Sequence, residues 1–201
     1  MEEKRMITVA DPTPLGLFGL AMVTLVAASQ KLGLTEGVSL VIPWAIFLGA
    51  SAQLYASIQD AKKNNMFGAT AFGGYAFFWF SVAMTWMTKA GVFGETLANT
   101  ADTKQLGIAF IGYLIFTLYM TVGSLTTNKV LFLIFFFINF LFIGLSFSTL
   151  GILEGPMHQL AAYAEFVISL LSFYGSAALI INGQFGKTIL PMGAPIIVKA
   201  E

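Results

Sequence analysis

The sequence predicts an all-α polytopic membrane protein, with six transmembrane helices gathered into one bundle. Three observations carry that prediction. Hydrophobic residues make up 57% of the 201 residues and charged residues only 10%, against about 25% charged in an ordinary soluble domain. Six apolar stretches approach or exceed the roughly 20 residues needed to cross the hydrocarbon core of a bilayer. Nearly all the charge falls in the links between them, which are too short to hold a separate soluble domain.

Taken in order, residues 1–14 read as a cytoplasmic tail and the approach to the first helix, without the basic segment, short apolar run and small-residue cleavage site of a secretory leader. The first span, 15–34, starts behind Asp11, Pro12, Thr13 and Pro14. The prolines fix φ and lack N–H donors, which suits the first turn of a helix, and Asp11 is placed to accept from the free N–H groups there. Gly16 and Gly19 then share one side of the helix and allow a close neighbour. The second span, 38–58, ends in a polar link, Asp60-Ala61-Lys62-Lys63-Asn64-Asn65. Spans three and four, 68–87 and 106–125, are joined by the longest link, between Lys89 and Lys104, with room for a short interfacial helix. Spans five and six cover 130–153 and 160–182. The transmembrane domain is thus 15–183, followed by a cytoplasmic tail, 184–201. The run Phe135-Phe136-Phe137 reads as bulk facing lipid or another subunit.

Lysine and arginine set the orientation. Lys4, Arg5, Lys62, Lys63, Lys129, Lys187 and Lys199 fall on one side, and Lys31, Lys89 and Lys104 on the other. The excess marks the cytoplasmic side and places both termini there, in a cell (inner) membrane. Six spans agree with termini on the same side.

Composition also excludes functions. Ten basic and ten acidic residues cancel, so there is no basic field for nucleic acid. The absence of cysteine removes disulfides, thiolate nucleophiles and cysteine metal sites. A single histidine, His158, builds no metal centre, and no cofactor is implied. Catalysis inside a membrane needs ionisable or nucleophilic groups within hydrogen-bond reach. The spans offer one such acid, Glu165, and no lysine or arginine, so the chain reads as a non-enzyme. Glu165 is expected to be a buried hydrogen-bonding group with a structural role, proton coupling being the second reading.

The spans hold scattered neutral polarity, with Thr24, Gln53, Thr70 and Asn139 as candidates for a substrate pathway. The competing explanation is ordinary helix–helix contact, which small and polar residues favour. For the amides of Gln53 and Asn139 two solutions stand open, a wet pathway or a tight interhelical bond, because an amide facing lipid is costly. Without fixed cations in the spans, an anion meets hydroxyls, amides and backbone N–H groups only. Such weak sites suit small cargo that must leave again.

Three separated motifs resemble the acetate uptake transporter family. Asp11-Pro12-Thr13-Pro14-Leu15-Gly16-Leu17 is similar to that family's Asn-Pro-Ala-Pro-Leu-Gly-Leu opening, with aspartate in place of asparagine. Residues 62–75, from Lys62-Lys63-Asn64-Asn65 through Phe67-Gly68-Ala69-Thr70-Ala71-Phe72 to Tyr75, resemble its lysine-rich link and the start of its third helix. Gln184-Phe185-Gly186-Lys187-Thr188-Ile189-Leu190-Pro191 resembles its closing signature. The resemblance implies a channel or transporter for acetate and related small monocarboxylates, with succinate carried by some members. It implies a ring-shaped homo-oligomer, a homohexamer in the best-known members, with one pore per subunit. The family's pore is pinched by three apolar or aromatic side chains, which fall here on Leu20, Tyr75 and Ile138. Leu20 departs from the family's phenylalanine. A channel for formate, ammonia or water, and a sensor or scaffold that moves nothing, remain the alternatives.

Overall fold

The computed structural model describes residues 9–198, so Lys4, Arg5 and Lys199 lie outside the described residues. Its elements are α1 (Thr13–Lys31), α2 (Val41–Lys62), α3 (Met66–Lys89), the short α4 (Glu95–Thr100), α5 (Thr103–Ser124), α6 (Lys129–Thr149) and α7 (Glu154–Phe185). All but α4 are long and apolar enough to cross a membrane. Among the described residues there are no strands. The short helix expected in the third link is α4.

Two boundaries differ from expectation. Helix α7 begins at Glu154 rather than 160 and runs for 32 residues, about 48 Å at 1.5 Å per residue. Its polar first turn, Glu154-Gly155-Pro156, is helical because proline is tolerated there and a carboxylate is favoured at a helix N-terminus. Helix α2 continues to Lys62, so Asp60, expected in a link, is on a helix. Gln53, Ala56 and Asp60 share the face of α2 that turns inward, and none is exposed. The middle of α2, Ala45–Ala52, is wound as a π-helix, a conformation frequent at functional sites.

The helices close a ring in the order α1, α2, α3, α5, α6, α7 and back to α1. Helix α1 is held from both sides. Toward α2 and α3, a Cβ at Gly19 would stand 2.5 Å from the Leu48 carbonyl oxygen, and one at Gly16 would meet the Phe72 ring at 2.5 Å. Toward α7, the Ser169 hydroxyl donates to the Ala21 carbonyl (3.0 Å) and Ser176 to the Pro14 carbonyl (2.8 Å). Aromatic rings fill the α3–α5–α6 corner, where Phe78 lies edge-on to Tyr113 (5.0 Å) and to Phe142 (5.2 Å).

Side chains bond free amides at several of the helix starts. Asp11 accepts from the Thr13 amide (3.1 Å) and hydroxyl (2.7 Å). Asn65 accepts from the Gly68 amide (3.2 Å), and Asn128 from the Leu131 amide (3.0 Å). The segment after α7 folds back on the bundle. Asn182 accepts from the Ile189 and Leu190 amides and donates to the Leu190 carbonyl, while the Ile196 and Ile197 amides reach the Leu125 carbonyl. The α1 start, the α2–α3 turn, the α5–α6 turn and this segment therefore gather at one end of the bundle.

Gly19→Leu should destabilise the bundle by about 1–3 kcal/mol, as overpacking does, because the atom in the way is backbone and does not swing aside. Gly183→Ala, where nothing lies within 4 Å of the added carbon, is the control and should not lower the melting temperature in detergent.

Candidate functional site

A cavity of about 180 Å³ opens among α1, α2, α3 and α6 at that same end. Its walls include Thr13 and Leu17 of α1, Gln53 and Asp60 of α2, Phe72 of α3, Thr126 and Thr127 of the α5–α6 turn, and Ile134 of α6. Deeper in the bundle is a second void of only about 10 Å³, bounded by Thr24, Phe78, Trp79, Leu141, Phe142 and Ile168. That is close to the smallest space that holds one water. Leu20, Tyr75 and Ile138 belong to the walls of both. The three side chains, all buried, form the partition between the larger cavity and the much smaller void.

Each of the three is positioned by its neighbours in sequence. Leu20 follows Gly19, which presses α1 onto the π segment of α2. Tyr75 follows Gly74, where a Cβ would meet the Phe116 ring at 2.5 Å. The Tyr75 ring stands edge-on to Phe116 (5.4 Å), and its hydroxyl is 2.9 Å from the Thr117 hydroxyl. Thr117 donates to the Tyr113 carbonyl, so Tyr75 is the donor to Thr117. Ile138 precedes Asn139, whose amide donates to the Thr121 hydroxyl (2.8 Å) and the Phe135 carbonyl (2.9 Å). That bond ties α6 to α5.

The pathway candidates separate. Gln53 lines the cavity and donates to the Gly49 carbonyl at 2.6 Å, inside the π segment. Thr24 lines the small void and donates to the Leu20 carbonyl at 2.7 Å. Asn139 takes the interhelical solution and is outside both walls. Thr70 is exposed on α3 and also outside them.

Residues 2–193 match the GPR1/FUN34/yaaH family. The chain belongs to that family. Within the GPR1/FUN34/yaaH family it is similar to the succinate-acetate/proton symporter SatP of Escherichia coli (strain K12), with 32% identity over 185 residues covering 92% of this chain and 95% of the relative. It is 27% identical over 197 residues to acetate permease A of Emericella nidulans, covering 91% of this chain and 65% of that protein. A solved structure, that of the bacterial acetate channel SatP, superposes with a TM-score of 0.86 at 29% identity, covering 92% of this chain and all of that one.

Three features of this member differ from expectation. Lysine is not absent from the spans: Lys31, the last residue of α1, reaches back to Glu165 on α7 with Nζ 2.8 Å from Oε2. Glu165 is therefore half of a buried ion pair joining α1 to α7, rather than a lone hydrogen-bonding acid. The sequence hid this because the partners are 134 residues apart. Phe135 is not outward bulk; it is buried, lines the cavity, and packs on Phe67 (5.4 Å) and Tyr75 (6.1 Å). Phe136 is exposed as expected. Asp60 lines the cavity although the sequence assigned it to a solvated turn; the helical continuation of α2 carries it inward.

Removing one partner of a buried pair leaves the other charge uncompensated, at a cost of about 3–5 kcal/mol. Lys31→Met should therefore lower the melting temperature in detergent sharply. Adding Glu165→Leu should restore most of the loss, because the pair as a whole is worth little against an apolar replacement.

Proposed function

We propose that the chain passes acetate and related small monocarboxylates across the membrane, succinate among its larger cargo, through a pore within each subunit. The supporting observation is the partition made by Leu20, Tyr75 and Ile138 between a cavity of about 180 Å³ and a void of about 10 Å³. The names of its relatives, a succinate-acetate/proton symporter and an acetate permease, agree with this cargo. A carboxylate crossing an apolar ring sheds its water or crosses as the neutral acid. Either route weighs more heavily on larger and doubly charged cargo. The chain acts as a conduit and performs no covalent chemistry. It works in the cell (inner) membrane as a ring-shaped homohexamer.

Tyr75→Ala and Ile138→Ala should raise succinate or lactate flux relative to acetate in proteoliposomes. Tyr75→Phe should do less, since it keeps the bulk, and Leu20→Phe should slow acetate. If both alanine variants assemble intact and keep the wild-type acetate-to-succinate ratio, the three residues are core and not gate. Vesicles inert to acetate but permeable to formate, ammonia or water would reassign the cargo. Wholly inert vesicles would favour a sensor or scaffold.

We further propose that the end holding the cavity mouth faces the cytoplasm, with both termini. Seven basic residues against three support it, and the minority is weaker still because Lys31 is drawn into the pair with Glu165. The chain has no cysteine, so single cysteines at positions 62 and 89 report directly. In intact cells the one at 89 should react with an impermeant reagent and the one at 62 should not; the reverse pattern inverts the topology.

A further inference from the structure

The cavity has an uneven hydrogen-bonding character. Its hydroxyl donors are spent on the protein: Thr13 on Asp11 Oδ1, Thr126 on the Gly123 carbonyl, Thr127 on the Ser124 carbonyl, and Tyr75 on Thr117. The Gln53 amide donates to Gly49, and the Asn65 amide to Asp60 Oδ1 at 3.0 Å. That leaves a second N–H on each amide, and two oxygens with no partner, Gln53 Oε1 and Asp60 Oδ2. Both residues are completely buried, line the cavity, and are two turns apart on one face of α2. A buried carboxylate oxygen without a donor is costly; Asn65 meets Oδ1, but nothing donates to Oδ2. Gly68 admits its side chain closely, since a Cβ there would collide with Oδ2.

The charged groups facing Asp60 are few. Lys63, from the end of its own helix, and Asp11, from the start of α1, face it and pair with each other at 3.5 Å. From α3 and α6, its companions in the cavity wall, Phe67, Gly68, Phe72 and Leu131, are uncharged. A carboxylate anion entering this cavity would meet a second carboxylate with no cation between them. Two such groups in one small space hold a proton between them, because both cannot stay ionised.

We propose that Asp60 is the proton-handling residue of the pathway, so that carboxylate cargo occupies the cavity with one proton shared between its carboxyl group and Asp60. The proposal rests on the carboxylate conduit proposed above. For cargo moving toward the apolar partition, the O–H bond of protonated Asp60 breaks and an O–H bond forms on the cargo oxygen. Asp60 is left ionised and the neutral acid passes Leu20, Tyr75 and Ile138. Asp60 is then reprotonated from solvent at the cavity mouth, where a hydronium ion gives up its proton and remains as water. For cargo arriving through the partition the same steps run backwards, and the proton leaves on the cytoplasmic side. Gln53 Oε1 accepts from the acid O–H on the way. Glu165 has no part in this, since Lys31 already meets its charge.

The test is acetate binding to the purified protein in detergent, followed by NMR of ¹³C-labelled acetate across pH. Affinity should be flat where Asp60 already holds its proton, then fall about tenfold per pH unit above that point, the slope of one linked proton. Asp60→Asn should abolish the fall, because an amide meets the anion without a proton, and Asp60→Glu should restore it at a displaced pH. In the sloping range an indicator dye should record one proton taken up per acetate bound by the wild-type protein, a reading that stands whether or not Asp60→Asn folds. No proton taken up, or a slope that survives Asp60→Asn and vanishes in Glu165→Gln, overturns the assignment to Asp60 and leaves acetate transport standing. A folded wild-type protein that binds no acetate at any pH overturns both.

Discussion

Everything about the site depends on how closely α1 is held. Its glycine face is pressed against the Leu48 carbonyl and the Phe72 ring, and its other face is tied by two α7 serines and by the Lys31–Glu165 pair. In a bilayer, apolar surface gives no preference for a neighbouring helix over lipid, so close packing and buried polar bonds must supply the attraction. Helix α1 uses both, on opposite sides. The consequence is that Leu20 has little freedom to withdraw from Tyr75 and Ile138. A partition built from three separate helices holds its shape only if none of the helices drifts, and α1, like α3 and α6, is held from both sides.

The π segment of α2 belongs to the same arrangement. Its wider turn carries Gly49 inward, where a Cβ would meet Trp79 at 2.8 Å and Val23 at 3.0 Å. The Gly49 carbonyl is met by the Gln53 amide, and this bond determines which end of the Gln53 side chain remains without a partner. The same local winding that fits α2 around α1 therefore sets the hydrogen-bonding character of the cavity. Packing and polarity are one problem here, solved by a small-residue run followed by glutamine.

Much of this was legible in the sequence. The six spans follow from length and hydropathy because a bilayer imposes a length that chance rarely matches. The short helix in the third link and the proline-led start of α1 follow from local rules. Leu20, Tyr75 and Ile138 came from motif resemblance, and composition alone would not have singled them out among 57% hydrophobic residues. What was illegible depended on contacts far apart in the chain or on small shifts of helical phase. Lys31 read as a link residue because its partner is on α7. Asp60 read as solvated because its neighbours Lys62, Lys63 and Asn64 are; the five helical residues from 56 to 60 that turn it inward carry no distinctive pattern. Phe135 and Phe136 are adjacent and identical in type, yet one is core and the other exposed, since about 100° of helix separates them. A run of phenylalanines has no amphipathic signal to divide it.

The two halves of the proposed pathway make opposite demands, and their order matters. The partition is apolar, so it penalises charge, while the cavity before it has acceptor oxygens to spare, so it favours a proton donor. A cation-lined cavity would hold a carboxylate as an anion, and the anion would then face the full cost of desolvation at Leu20, Tyr75 and Ile138. An acceptor-lined cavity favours the protonated form before the partition is reached, and that form crosses apolar surroundings at far lower cost. Weak attraction in the cavity and low polarity at the partition therefore act together on the same chemical species. In the proposed pathway the scarcity of cations in the spans, read first as a limit on binding strength, becomes a condition for passage. Lys31, at the end of α1, is paired with Glu165 and is absent from both cavity walls, where it would oppose that arrangement.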